Sequence, residues 1–154
     1  MHLPNLLEIK GDVLLASNGN LQSITMPSLR RIGKSFDLNN NQLLTNLELQ
    51  ALVEIGQSLY IYDNKKLNLL DFPFLAKVGG NVGILDNGAA PSLWFPSLAE
   101  VLNNFNVSAT AYTCINFQVL TVGGLLGEVS VQGSNVLDFC AGVTAADLEC
   151  GHHS

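Results

Sequence analysis

Charge is scarce in this chain, and what there is leans acidic. Asp, Glu, Lys and Arg make up 13% of its 154 residues, apolar residues make up 47%, and the net charge is −6. Seven Lys and Arg are scattered without a run, so the basic patch that a nucleic-acid partner requires is missing. Histidine occurs only as His2, His152 and His153. That excludes a Ser-His-Asp or Cys-His centre inside the fold, and His152-His153 reads as a tail rather than a metal site. No apolar stretch nears the ~18 residues of a membrane span. The run Gly123-Gly124-Leu125-Leu126-Gly127 lacks the Lys and Ser/Thr of a phosphate-binding loop. Cysteine is limited to three residues without Cys-x-x-Cys spacing, which speaks against zinc. Neither a metal nor a cofactor is expected. Gly, Pro and Asn recur too often for a helix of ten or more residues (~10), while the apolar content is too high for disorder.

What remains is a repeat. Leu6, Leu29, Leu52, Leu75 and Leu98 fall 23 residues apart, and so do Ile9, Ile32, Ile55, Val78 and Val101. Pro4, Pro27, Pro73 and Pro96 head matching segments, and Gly33, Gly56 and Gly79 follow the second apolar position. Alternating triplets come next: Val13-Leu14-Leu15, Phe36-Asp37-Leu38, Leu59-Tyr60-Ile61, Val82-Gly83-Ile84, Phe105-Asn106-Val107 and Val129-Ser130-Val131. A period of two predicts strands with the outer members of each triplet inward and the middle one outward. Polar turn residues follow at Asn18, Asn41, Asn64 and Asn87, then Thr110 and Ser134. A second short strand is expected from Ile24-Thr25-Met26 and its counterparts through Leu137-Asp138-Phe139. One such coil cannot bury its own apolar residues, but stacked coils can, with like residues ~4.8 Å apart. Stacked Asn side chains can then bond the backbone at the bend and one another.

Charge checks the register independently. Glu8, Arg31, Glu54, Lys77 and Glu100 alternate in sign at every step of 23, so stacking sets each between opposite charges. Exposed pairs of this kind contribute only ~0.2–1 kcal/mol. Their role is structural, and no two carboxylates adjoin to do acid–base work.

The coil pattern of Leu-x-x-Ile-Gly, a strand such as Leu59-Tyr60-Ile61, then Asp63-Asn64, then Leu-x-x-Leu-x-Phe-Pro resembles the receptor L-domain family. The Ala-Phe and Cys carried in each repeat of the 23-residue leucine-rich repeats of bacterial surface proteins are missing here. The resemblance implies a mainly β fold: a right-handed β-helix, or leucine-rich-repeat-like solenoid. About six coils are expected over residues 4–139. It also implies an extracellular or cell-surface binding module, and it brings no catalytic residue with it.

Regularity fades toward the C-terminus. Leu102 replaces the expected Gly, the sixth coil is altered around Gly123-Gly124, and the pattern stops after Phe139. Residues 140–151 are expected to form a Cys-bearing cap with a short helical turn from Thr144, followed by a tail at 152–154. Cys140 and Cys150 can pair across a loop of about ten residues. Cys114 with Cys140, or three reduced thiols, stay open as alternatives. At the other end His2-Leu3-Pro4 enters almost directly into the first coil. An uncovered end exposes strand edges, so self-association through it is expected. Met1 leads straight into the repeat with no visible signal peptide, and the natural chain is expected to begin earlier.

Surfaces are left as the place for function. Outward positions of the first sheet run Leu14, Asp37, Tyr60, Gly83, Asn106, Ser130 in one column and Ala16, Asn39, Tyr62, Leu85, Ser108, Gln132 in the next. Tyr60 and Tyr62 stand side by side with Asp37 and Asn39 near, a candidate surface for a protein or glycan ligand. Ordinary strand propensity also accounts for tyrosine there. Trp94, the one tryptophan, is expected to point outward between Leu93 and Phe95, unless the loop at 89–91 covers it. Asn106-Val107-Ser108 is a glycosylation sequon in a secreted eukaryotic context. A binding module is the leading expectation, and a structural cell-wall or surface-layer repeat without a specific ligand is the alternative. An enzyme on a β-helix would need clustered Asp or basic residues on one sheet, where only Asp37 occurs.

Overall fold

In a computed structural model the chain is a parallel β-solenoid of about four turns with a period near 23 residues. The structure describes residues 1–88, 92–111, 114–117 and 129–134, and no helix occurs among them. The sixth coil beyond residue 134, Cys140, Cys150 and the expected cap lie outside the described residues.

Each coil contributes strands to three stacked columns. The first is a five-stranded sheet of two-residue strands: Glu8–Ile9, Arg31–Ile32, Glu54–Ile55, Lys77–Val78 and Glu100–Val101. The second is the six-stranded sheet of Val13–Ala16, Phe36–Asn39, Leu59–Tyr62, Val82–Leu85, Phe105–Ala111 and Val129–Ser134. The third column is interrupted. Ser23–Thr25 pairs with Asn46–Glu48, and Leu69–Asp71, Ser92–Phe95 and Cys114–Phe117 form a separate three-stranded sheet. All pairings are parallel and in register at equivalent repeat positions, as in Leu14↔Asp37, Asp37↔Tyr60 and Tyr60↔Gly83. The step from Phe105 to Val129 is one residue longer, and the register shifts between Ser108 and Ala111. Two details differ from the sequence reading. The strands of the third column start one residue earlier than the Ile24-Thr25-Met26 frame. The Leu-x-x-Ile segments, read only as apolar pairs, contribute a sheet of their own.

Burial follows the alternation. Leu29, Ile32, Phe36, Leu38, Leu44 and Leu52 have no exposed surface, and their counterparts in later coils lie in the same core. Phe72 and Phe95 stack with ring centroids 5.0 Å apart, and Phe105 meets Phe95 edge-on at 6.4 Å. Such pairs add ~0.5–1.5 kcal/mol beyond area burial. In the first two columns the first coil has a neighbour on one side only, and its Leu6, Ile9, Val13, Leu15 and Leu21 are merely half-buried. Its third strand, by contrast, is flanked by residues 1–3, with the Leu3 N–H donating to the Thr25 carbonyl and the Thr25 N–H to the Met1 carbonyl, both at 2.9 Å.

Two side-chain ladders clamp the ends of the six-stranded sheet. At its exit, Asn41 and Asn64 are fully buried and Asn87 nearly so. The Oδ1 of Asn64 accepts from the backbone N–H of Asn41 at 3.0 Å and from its Nδ2 at 3.3 Å. Asn64 Nδ2 donates to the Leu38 and Tyr62 carbonyls, each at 3.0 Å. Asn41 repeats this one coil earlier, with Asn18 as its donor and Leu15 and Asn39 as its acceptors. Buried amides so satisfied hold the bend rather than weaken it. The residue before each Asn has a left-handed backbone: Ser17, Asn40, Asp63 and Asp86 have φ of 51–56°, a conformation that, after glycine, Asn and Asp adopt most readily.

A second ladder stands at the sheet's entry and runs the other way. The N–H groups of Ser35, Ser58, Asn81 and Asn104 donate to side-chain oxygens of Asp12, Ser35, Ser58 and Asn81, at 3.0, 3.3, 3.1 and 3.2 Å. Here each backbone N–H donates to a side chain of the coil before it, whereas in the Asn ladder the backbone N–H donates to a side chain of the coil after it. Close approach explains the repeated glycine. A Cβ added to Gly56 or Gly79 would overlap the carbonyl oxygen of Gly33 or Gly56. The Gly79 N–H reaches the Ile55 carbonyl at 2.9 Å, while Leu102 in the same place reaches that of Val78 at 3.1 Å.

Candidate binding surface

The outer face of the six-stranded sheet carries the two columns expected to point outward. Register places Asp37 beside Tyr60 and Tyr60 beside Gly83, with Asn39, Tyr62 and Leu85 aligned in the next column. Leu59 and Ile61 are buried, Tyr60 is half-buried, and Tyr62 is 36% exposed.

Tyr60 is held in place by two contacts. A Cβ on Gly83 would lie 2.8 Å from Tyr60 Cδ1 and 3.1 Å from Cε1, so the ring lies over the bare glycine backbone of the next coil. Its hydroxyl accepts a hydrogen bond from Asn81 Nδ2 at 3.2 Å. The ring thus covers a glycine that would otherwise leave a gap on the sheet, a role aromatics take beside strand glycines. Asn39 Nδ2 donates to Asp37 Oδ1 at 2.7 Å, fixing an amide–carboxylate pair in the coil before. Asp37 is the one charged residue among the outward positions of the two columns, so the strip is polar and aromatic rather than strongly charged. Asn106 of the sequon is exposed on this same face, in register with Gly83.

Trp94 is not part of this strip. It lies in strand Ser92–Phe95 of the third column, between buried Leu93 and Phe95, in register with Asp71 and Asn116. Its side chain is half-buried rather than exposed. The loop at 89–91 lies outside the described residues. Five candidates therefore divide: Asp37, Asn39, Tyr60 and Tyr62 share one face, and Trp94 stands on another.

The structural columns keep the register read from the sequence. Glu8, Arg31, Glu54, Lys77 and Glu100 are successive partners in the five-stranded sheet. Ion contacts are uneven along it, with Arg31–Glu54 at 3.4 Å and Lys77–Glu100 at 2.9 Å. At the Asn bends, Lys65 pairs with Asp63 at 2.7 Å and donates to the Asp86 carbonyl at 3.2 Å. Among the described residues no three His, Cys, Asp or Glu are placed to hold a metal, and none forms a helix long and apolar enough to cross a membrane. Cys114 opens strand Cys114–Phe117.

Sequence reasoning missed the Asp12–Ser35–Ser58–Asn81 ladder and the link from Asn81 to Tyr60. The signal was a side-chain oxygen at every step of 23, hidden by the change of residue type. It also passed over the distribution of charge. All seven basic residues lie in 1–77 with seven acidic ones, while 78–154 holds six acidic residues and no basic one, the whole net charge of −6. Comparison with protein-family profiles, curated proteins and solved structures found no match.

Proposed function

We propose that this chain is a non-catalytic binding module of the extracellular space or cell surface, part of a larger surface protein of receptor L-domain type. In this reading the solenoid is right-handed, runs to about six coils and ends in the Cys-bearing segment 140–151. The observation that carries it is the strip of Asp37, Asn39, Tyr60 and Tyr62, where a braced ring and a fixed amide–carboxylate pair stand on an outward face. Rigid aromatics beside oriented polar groups suit a protein or glycan ligand, because little side-chain freedom is lost on binding. The test is a protein and glycan binding screen on the secreted domain, followed by titration of the Tyr60→Ala/Tyr62→Ala double variant. A loss of about tenfold or more in affinity is expected, as for truncated interface anchors. Unchanged affinity for a ligand so found would place the site elsewhere, with Trp94 next in line.

A second reading rests on the open first coil. Leu14 is 66% exposed on the edge strand of the six-stranded sheet, and Leu7, Leu3 and Met1 are exposed in the same N-terminal segment. Self-association through this end, as in a wall or surface-layer array, would bury them. Its signature is a concentration-dependent mass in light scattering that falls when Leu14 is replaced by Lys.

A further inference from the structure

The chain contains two Asn-Gly pairs, Asn18-Gly19 and Asn87-Gly88. Both asparagines occupy the same ladder, three coils apart, and their surroundings are opposite. Asn-Gly is chemically labile because glycine has no Cβ to keep its amide nitrogen from the side chain before it. We propose that Asn18 is a site of spontaneous deamidation and that the ladder protects Asn87 from the same reaction.

In the reaction, the Gly19 amide nitrogen, losing its proton to water or hydroxide, attacks Cγ of Asn18. A C–N bond forms, the bond from Cγ to Nδ2 breaks, and Nδ2 leaves as ammonia after taking up a proton. The resulting five-membered imide takes up one water and opens at either carbonyl, giving an aspartate or an isoaspartate at position 18. No electrons are exchanged, and water is the sole co-reactant.

Asn18 is free to follow this course. It is exposed, and its Nδ2 is held by two long bonds, to the Ala16 carbonyl and to Asn41 Oδ1, both at 3.2 Å. Among the described residues no donor reaches its Oδ1. Gly19 is exposed, with nothing within 4 Å of the place a Cβ would take. Asn87 is 1% exposed. Its Nδ2 donates to the Ile61 carbonyl at 2.7 Å, and its Oδ1 accepts from the Asn64 backbone N–H at 3.2 Å and from Asn64 Nδ2 at 2.9 Å. The attacking group is occupied too, since the Gly88 N–H donates to the Asn64 carbonyl at 3.1 Å. Attack there must wait for local opening.

The modification changes the end of the ladder. A carboxylate oxygen in place of Nδ2 cannot donate to Asn41 Oδ1 and faces it as a second acceptor, and the isoaspartate form also inserts a methylene into the bend.

The folded chain would be aged in mildly alkaline buffer, then digested, and the peptides carrying residues 18 and 87 followed by mass spectrometry and isoaspartate-specific methylation. Conversion at position 18 should outpace that at 87 by more than about tenfold, because position 87 must await opening. In denaturant the two rates should converge. Asn18→Gln should remove the signal from the first peptide and leave the second unchanged. Equal rates in the folded protein, or an Asn18 that converts only in denaturant, would overturn the proposal.

Discussion

The first coil and the interior coils are built from one sequence pattern and end up in different states. Leu15 is half-buried while Leu38 and Ile61, its counterparts, have no exposed surface. Asn18 is exposed while Asn41 and Asn64 are fully buried. The residues are alike, so the difference comes from neighbours. In a stacked repeat, burial and hydrogen-bond satisfaction belong to the interface between coils rather than to the coil.

The sharpest way to break this equivalence is at the Asn ladder. Asn64→Ala should cost about 3–5 kcal/mol, because it leaves the buried Asn41 N–H without its acceptor and removes the amide bonds to the Leu38 and Tyr62 carbonyls and to Asn87 Oδ1 together. Asn18→Ala should cost no more than about 1 kcal/mol, as at a solvated bend. Urea unfolding followed by circular dichroism reads both. The core gives the next largest contrast. Leu38→Ala should lose about 2–5 kcal/mol by cavity formation, and Leu15→Ala about half as much, since its site already meets solvent. Gly56→Ala should cost about 1–3 kcal/mol by forcing two backbones apart. In the first coil Lys10 occupies the equivalent position, and Lys10→Ala should stay within about 0.5 kcal/mol of the parent. The smallest effect belongs to the ion pair of Lys77 with Glu100. Lys77→Ala should lose about 0.2–1 kcal/mol, less as salt is raised. An interior loss no larger than its first-coil partner at the Asn or Leu positions would refute the interface account.

Much of this arrangement was legible in the sequence wherever one column keeps one residue type. Leucines at 6, 29, 52 and 75, asparagines at 18, 41, 64 and 87, and the alternating charges all fix the register. Columns that keep a function but change residue were opaque. Asp12, Ser35, Ser58 and Asn81 share only an oxygen at reach of the next N–H. Ser17, Asn40, Asp63 and Asp86 share only a backbone conformation. At the candidate surface, the outward direction of Tyr60 and Tyr62 followed from alternation. The brace did not: Gly83 stands in the same column as Tyr60 but carries no sign of a ring over it, and Asn81 belongs to the ladder at the sheet's entry. Alternation also placed Trp94 in the second strand of its coil, between inward Leu93 and Phe95, but its half-burial was not legible there.

The charge column has a consequence for how such a chain can grow or shrink. Backbone, core and both side-chain ladders match after one of the regular 23-residue coils is removed, since each position meets its equivalent again. The charges do not. Excising the coil that carries Glu54 would set Arg31 directly against Lys77, cation on cation, whereas excising two coils would restore Arg31 to Glu100. Geometry here counts in single coils and electrostatics in pairs, so removing two coils keeps both patterns while removing one keeps only the first.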